Sequence, residues 1–277
     1  MNGTTTVQLA EKTAKAVTGS VEEWTGFLQS AARLYKDSYP EQLLIYAQRP
    51  DATACASYEI WNQTMRRYVR RGARGIALPD GAGAVRYVFD VADTGARKSS
   101  REVKTWALDE NNREAVAHAL ETQYGSAAKL GIAGQLEEIA MQQSMDYWQW
   151  HQDELRDIVD GSLLMKYDEL NLELAFRNTA TTGVQYMLLS RCGLAEEHRF
   201  EPEDFATILE WNTPQALTAL GTAVSEISEE VLRSIEREAR SVERSRPHAE
   251  LQNGERLSDS RPEADRTAGE APGQVRQ

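Results

Sequence analysis

Five arginines, Arg66, Arg67, Arg70, Arg71 and Arg74, fall within nine consecutive residues, with Tyr68 among them and Trp61 about one helical turn ahead. No acidic residue lies between Glu59 and Asp80. Guanidinium groups pair bidentately with phosphate oxygens and stack on planar bases, and a Trp or Tyr ring offers a face to any base whatever its identity. Gly72 and Gly75 supply turn conformations that bulkier residues resist and let the backbone approach a phosphate chain closely. The chemistry of this stretch is that of a nucleic-acid contact. Its expected members are Trp61, Arg66, Arg67, Tyr68, Arg70, Arg71, Gly72, Arg74 and Gly75, with the arginines on phosphates and the two rings stacking or supporting the surface. A second reading stays open beside it, a non-enzymatic protein-interaction or regulatory module whose helical segment docks a protein partner and whose arginines are ion-paired internally with acids such as those at 153–160 or 201–210.

The remaining chemistry-bearing residues do not converge. His118, His151, His198 and His248 are scattered, and no HExxH, CxxC or paired-histidine spacing occurs, so no metal site and no cofactor are expected. The GARG and DGAG glycines lack the Gly-Lys-Ser/Thr that a phosphate-cradling loop requires, and no GxSxG elbow is present. No catalytic residue and no small-molecule substrate are therefore expected. Trp148, Trp150 and His151 in WQWHQDEL lie among Asp146, Asp153, Glu154 and Asp157, which would repel phosphate, so these rings read as packing groups. Cys55 and Cys192 match no disulfide framework and read as lone thiols.

The elements that would position the arginines follow from periodicity and punctuation. Residues 1–19 read as a short helix. Ser20 with Glu23 has capping-box spacing ahead of a helix over 21–36, whose Trp24, Phe27, Leu28, Ala31, Leu34 and Tyr35 share one face. Pro40 starts a helix over 41–48 that Arg49-Pro50 ends. DATACAS reads as a connection, with Ser57 capping a third helix to about residue 65. The period then changes: Tyr68-Val69, Ile76 to Leu78 and Val85 to Val91 read as strands, the last two joined by a Pro-Asp-Gly-Ala-Gly turn. Helices are expected from about residue 105 onward, one ending at Gly125, a long one with Leu136, Ile139, Ala140, Tyr147, Trp148, Leu155 and Ile158 on its face, then 164–191, 202–210 and 214–240.

The predicted class is α+β: N-terminal helices plus a β-hairpin, a mainly α-helical region, and a disordered C-terminal tail. Domains are expected at 1–104, 105–240 and 241–277. The tail has three prolines and no aromatic residue, too little to offset ordering entropy, and reads as a linker within a longer protein. At 277 residues with 41% hydrophobic and 27% charged residues the chain can form a core of its own. No stretch approaches a membrane span and no signal peptide is visible, so a cytoplasmic location is expected. The net charge of −12 divides as +4 over 1–104, −15 over 105–240 and −1 over 241–277, which leaves a local basic face compatible with a polyanion.

With these residues in place, QLLIYAQRPDAT, YEIW and RYVRRGARGIAL within 40–78 resemble the N-terminal single-strand DNA-binding domain of ArdC-type antirestriction proteins. The strongest matches are Tyr58, Trp61, Val69, Arg70, Arg71, Gly72, Arg74, Gly75 and Ile76. The resemblance implies an α+β fold and sequence-tolerant binding of single-stranded DNA. More widely, EQLLIYAQRPDATACA, YVFDVADT, VQYMLLSRCG and WNTPQALTALGTAVSEIS are similar to the beginning of very large proteins of integrative and conjugative elements in Firmicutes, where this region precedes helicase and DNA-methylase domains. That implies a mobile-element setting, with other proteins of the conjugative element as partners of the helical region. The metalloprotease-like domain of ArdC and all helicase and methylase motifs are absent from these 277 residues, so no enzymatic role is carried over.

Overall fold

In a computed structural model the chain is mostly helical with a small antiparallel sheet, an α+β fold. The structure describes residues 3–80 and 83–258. Three helices open it: α1 (Gly3–Val17), α2 (Val21–Arg33) and α3 (Tyr39–Gln48). Ser20 caps α2 by accepting from the Glu23 amide at 3.2 Å, but the Glu23 carboxylate turns away to the Tyr46 hydroxyl at 3.3 Å, so the reciprocal half of the expected box is not made. Pro40 occupies the first turn of α3, where a missing amide hydrogen costs nothing, and Arg49 ends the helix ahead of Pro50.

The segment expected as a connection is a strand, β1 (Cys55–Ser57). The third helix shrinks to a π-helical turn at Ile60–Thr64, with Ser57 Oγ accepting from the Ile60 amide as its type suggests. β2 (Tyr68–Val69), β3 (Ile76–Pro79) and β4 (Val85–Asp90) follow, then a short 3₁₀ turn at Val91–Asp93 and β5 (Thr94–Gly95). The strands make a three-stranded antiparallel sheet in the order β1-β4-β3 and a separate β2-β5 ribbon. In the sheet Ile76 lies opposite Val88 and Ala77 opposite Tyr87. Alternation puts Ile76, Leu78 and Val88 against Leu34, Leu44 and Ile45 of the N-terminal helices, while Tyr87 and Phe89 turn to the other face.

The rest is helical: α4 (Arg113–Tyr124), α5 (Gly131–Ile158), α6 (Glu169–Cys192) and α7 (Pro214–Ser258), with a 3₁₀ segment at Pro202–Glu210. Gly125 and Gly193 end α4 and α6 in the left-handed conformation. α7 passes the expected stop at 240, and the remainder of the expected tail, 259–277, lies outside the described residues.

The expected division at 104/105 does not separate two cores. Trp24 and Phe27 of α2 and Tyr39 of α3 share one buried cluster with Trp148, Phe176, Trp211, Leu217 and Val224 of the helical region. Gly221 makes the α3–α7 approach possible, since a Cβ there would lie 2.1 Å from Tyr39 Cε2. A polar network ties the same halves together. Buried Glu236 accepts from Tyr35 at 2.6 Å, Lys36 at 2.8 Å and Arg240 at 2.8 Å, and Trp106 Nε1 donates to the Tyr35 hydroxyl at 3.0 Å. The physical reason is that the apolar face of α2 is wider than the small sheet can cover, so it is buried largely against α6 and its neighbours.

Candidate nucleic-acid interface

The basic stretch lies at a corner made by the π-helical turn, the β2-β5 ribbon and the loop leading to β3. Asp90 organises it. Its buried carboxylate accepts from the amides of Thr53 (2.7 Å), Ala54 (3.0 Å) and Ala92 (2.9 Å), which locks the end of β4, the 3₁₀ turn and the approach to β1 together. Arg49 reinforces the turn with an ion pair to Asp93 at 2.5 Å, and that hydrogen bond holds the Arg49 guanidinium above its usual range. On this frame the Arg70 amide donates to Asp93 O at 2.8 Å and Arg70 Nη1 to Ala92 O at 3.1 Å. Arg67 Nε donates to Thr94 Oγ1 at 2.7 Å.

Arg66, Arg70, Arg71 and Arg74 are exposed, and Arg67 is half-buried. Among the described residues none of the five forms an ion pair. Asp93, whose backbone carbonyl holds the Arg70 amide, has its carboxylate engaged with Arg49. Of the two readings left open by the sequence, internal pairing of these arginines is not what the described residues do.

Arg66 has φ 54°, the one non-glycine residue with positive φ among those described, and Gly72 has φ 87°. The first is a strained conformation for a side chain of this size; its carbonyl is held by Ser100 Oγ at 2.6 Å. Gly75 serves close approach instead, because a Cβ there would sit 3.0 Å from Tyr87 Cδ1 and 3.3 Å from Phe89 Cζ.

The two rings named from the sequence part company. Tyr68 is 43% exposed, with the Arg97 guanidinium 5.6 Å from its ring centre. Trp61 is 3% exposed and its Nε1 donates to Phe89 O at 2.8 Å, so it supports the corner and offers no face to a base. A buried indole that can reach a carbonyl takes that bond, which fixes its orientation inward.

Several members were missed by sequence reading. Residues 97–101 return beside the basic stretch: the Arg101 amide donates to Met65 O at 2.9 Å and Arg97 Nη1 to Asn62 Oδ1 at 3.1 Å. Arg97, Lys98 and Arg101 are all exposed, which adds three cations to the corner. Tyr87, 44% exposed on the outer face of β4, adds a second accessible ring beside Gly75 and the arginine loop. The signal was the ARKSSR run itself, basic and free of acids, but only the pairing of Tyr68 with Gly95 brings it here.

Among the described residues no group of three or more His, Cys, Asp or Glu side chains is arranged to hold a metal ion, and no helix is long and apolar enough to cross a membrane. Comparison with protein-family models, with curated proteins and with solved structures returned no match for this chain.

Proposed function

We propose that this protein binds single-stranded DNA with little regard to sequence and acts by binding, without catalysis of its own. The observation that carries the reading is the set of exposed guanidiniums at a rigid corner with no carboxylate paired to them among the described residues. Arginines without ion pairs attract a phosphate chain without first having to break internal bridges, and Tyr68 and Tyr87 beside them give bases something to stack on. The resemblance to the ArdC N-terminal domain supports single strands as the ligand. It is also the sole support for a setting in a mobile genetic element, in conjugative transfer or antirestriction, at the front of a larger helicase- or methylase-type protein.

The test is fluorescence anisotropy with labelled single- and double-stranded oligonucleotides. The parent is expected to bind single strands at low salt. Arg70→Ala/Arg71→Ala/Arg74→Ala should weaken binding by roughly a hundredfold, at about 1 kcal/mol for each lost charged contact. Equal binding by parent and variant, or no binding by the parent, rejects the proposal.

A protein partner for the helical region is proposed alongside, favoured by the exposed Leu163, Met165, Leu170 and Leu174 around the start of α6. Single exposed apolar residues are ordinary on a protein surface, whereas several close together in the chain favour a contact.

A further inference from the structure

Arg33 at the end of α2 and Arg191 in the last turn of α6 line one cleft of about 420 Å³, together with Gln29, Thr53, Thr105 and Ser190. Neither guanidinium has an ion pair among the described residues. Of the five N–H groups of Arg33, three are spent on backbone carbonyls, those of Gln29 (3.1 Å), Pro50 (2.6 Å) and Ala52 (3.0 Å), which anchors the head and leaves two donors. Arg191 donates to Trp106 O at 2.9 Å and lies 3.7 Å from the centre of the Trp106 ring, which leaves four.

The nearest acids compensate them only in part: burial outweighs the attraction of Asp51 and Asp90 for Arg33 and of Glu236 for Arg191. Asp51 pairs with Arg49, Asp90 is committed to three amides, and Glu236 is committed to Lys36, Tyr35 and Arg240. Burial accordingly lowers both arginines from their usual range. Two half-buried, fixed guanidiniums with no direct ion pair carry a desolvation cost that the surrounding acids offset only in part, and an anion in the cleft would relieve it.

The lining narrows the anion's chemistry. Planar forks with spare N–H donors match tetrahedral oxyanions, and the hydroxyl of Thr105 with the Gln29 amide adds neutral donors. Two guanidiniums match the double charge of a phosphate monoester better than the single charge of a diester. The cleft is also larger than inorganic phosphate needs and falls within the range of small-molecule sites, roughly 300–1,000 Å³.

We propose that this cleft binds a phosphate monoester, with Arg33 and Arg191 contributing the donors that hold its oxygens. The monoester's source is either a free mononucleotide or the 5′-terminal phosphate of a strand. The site shares Thr53, bonded to Asp90, with the frame of the corner but none of its exposed arginines, and it does not depend on the strand-binding reading.

The experiment is calorimetric titration of the full chain with dAMP, inorganic phosphate and deoxyadenosine, and with one oligonucleotide carrying either a 5′-phosphate or a 5′-hydroxyl. Arg33→Gln also removes bonds to Pro50 and Ala52 and could unfold the region, so the decisive variant is Gln29→Glu, which adds a negative charge to the lining while keeping both arginines. The expected result is binding of dAMP but not deoxyadenosine, weakened roughly tenfold or more in Gln29→Glu, the factor one charge-assisted hydrogen bond supplies, and unchanged in the Arg70/Arg71/Arg74 alanine variant. A preference for the 5′-phosphorylated strand that Gln29→Glu abolishes assigns the monoester to a strand end; dAMP binding with no such preference assigns it to a free nucleotide. Absence of binding by all phosphate forms, or binding that Gln29→Glu leaves intact, overturns the proposal.

Discussion

Salt dependence offers the sharpest test of the basic corner, because it counts cations. Arg66, Arg70, Arg71, Arg74, Arg97, Lys98 and Arg101 are exposed there, while Arg67 is half-buried and holds Thr94. On single strands each neutralised phosphate contributes about −0.7 to the slope of log affinity against log salt, so seven engaged cations give a slope of roughly −5, against roughly −3.5 for the five arginines of the sequence cluster alone. A slope of roughly −5 means about a thousandfold loss of affinity between about 50 and about 200 mM salt. Lys98→Ala/Arg101→Ala removes two charges while preserving the Arg101 amide bond to Met65 O. It should make the slope shallower by about 1.4. Anisotropy titrations over a series of salt concentrations read this directly, with Arg199→Ala on the helical half as a control expected to leave the slope unchanged. A slope in the double variant that equals the parent's would refute the claim that the 97–101 segment belongs to the binding face.

Two further outcomes follow from the contacts around this corner and its support. Trp61→Phe removes the donor to Phe89 O and should lower folding stability by about 1–3 kcal/mol in urea denaturation, with strand affinity of the folded protein retained; affinity lost at unchanged stability would mean that the indole touches the ligand after all. For Glu236, burial pushes the carboxyl up but hydrogen bonds from Lys36, Tyr35 and Arg240 outweigh it and hold it at about 2, below its ordinary 4.5. The network's stabilisation is therefore fully present above about pH 4.5 and lost as pH falls toward 2. Glu236→Gln should destabilise the protein at neutral pH and lose its effect near pH 2, as thermal melts across that range would show.

Where local chemistry decides structure, the sequence could be read. Ser20 capping α2, Pro40 and Pro214 opening helices, and Gly125 and Gly193 closing them all act within a turn of themselves. The β3-β4 hairpin was legible for the same reason. β1 and β5 were not, since Cys-Ala-Ser and Thr-Gly lack the paired aromatic and β-branched residues that mark β2 and form strands only through their partners Asp90 and Tyr68. The candidate site divides along the same line. The arginine cluster was visible as a run, but Arg97, Lys98, Arg101 and Tyr87 join it through pairings between distant segments. Of the two roles the sequence leaves open for Trp61, stacking or supporting the surface, it takes the second, because a carbonyl 28 residues away claims its donor.

The shared interior has an evolutionary consequence. A recombination breakpoint between residues 104 and 105 would look harmless in the sequence, where charge and periodicity both change. It would nevertheless divide Trp24, Phe27 and Tyr39 from Phe176, Trp211 and Leu217, leaving each product with half of an aromatic interior open to water. Selection would then favour inheritance of the basic corner together with its helical partner, and chimeras that exchange the corner alone would fail through misfolding before their DNA affinity could be tried.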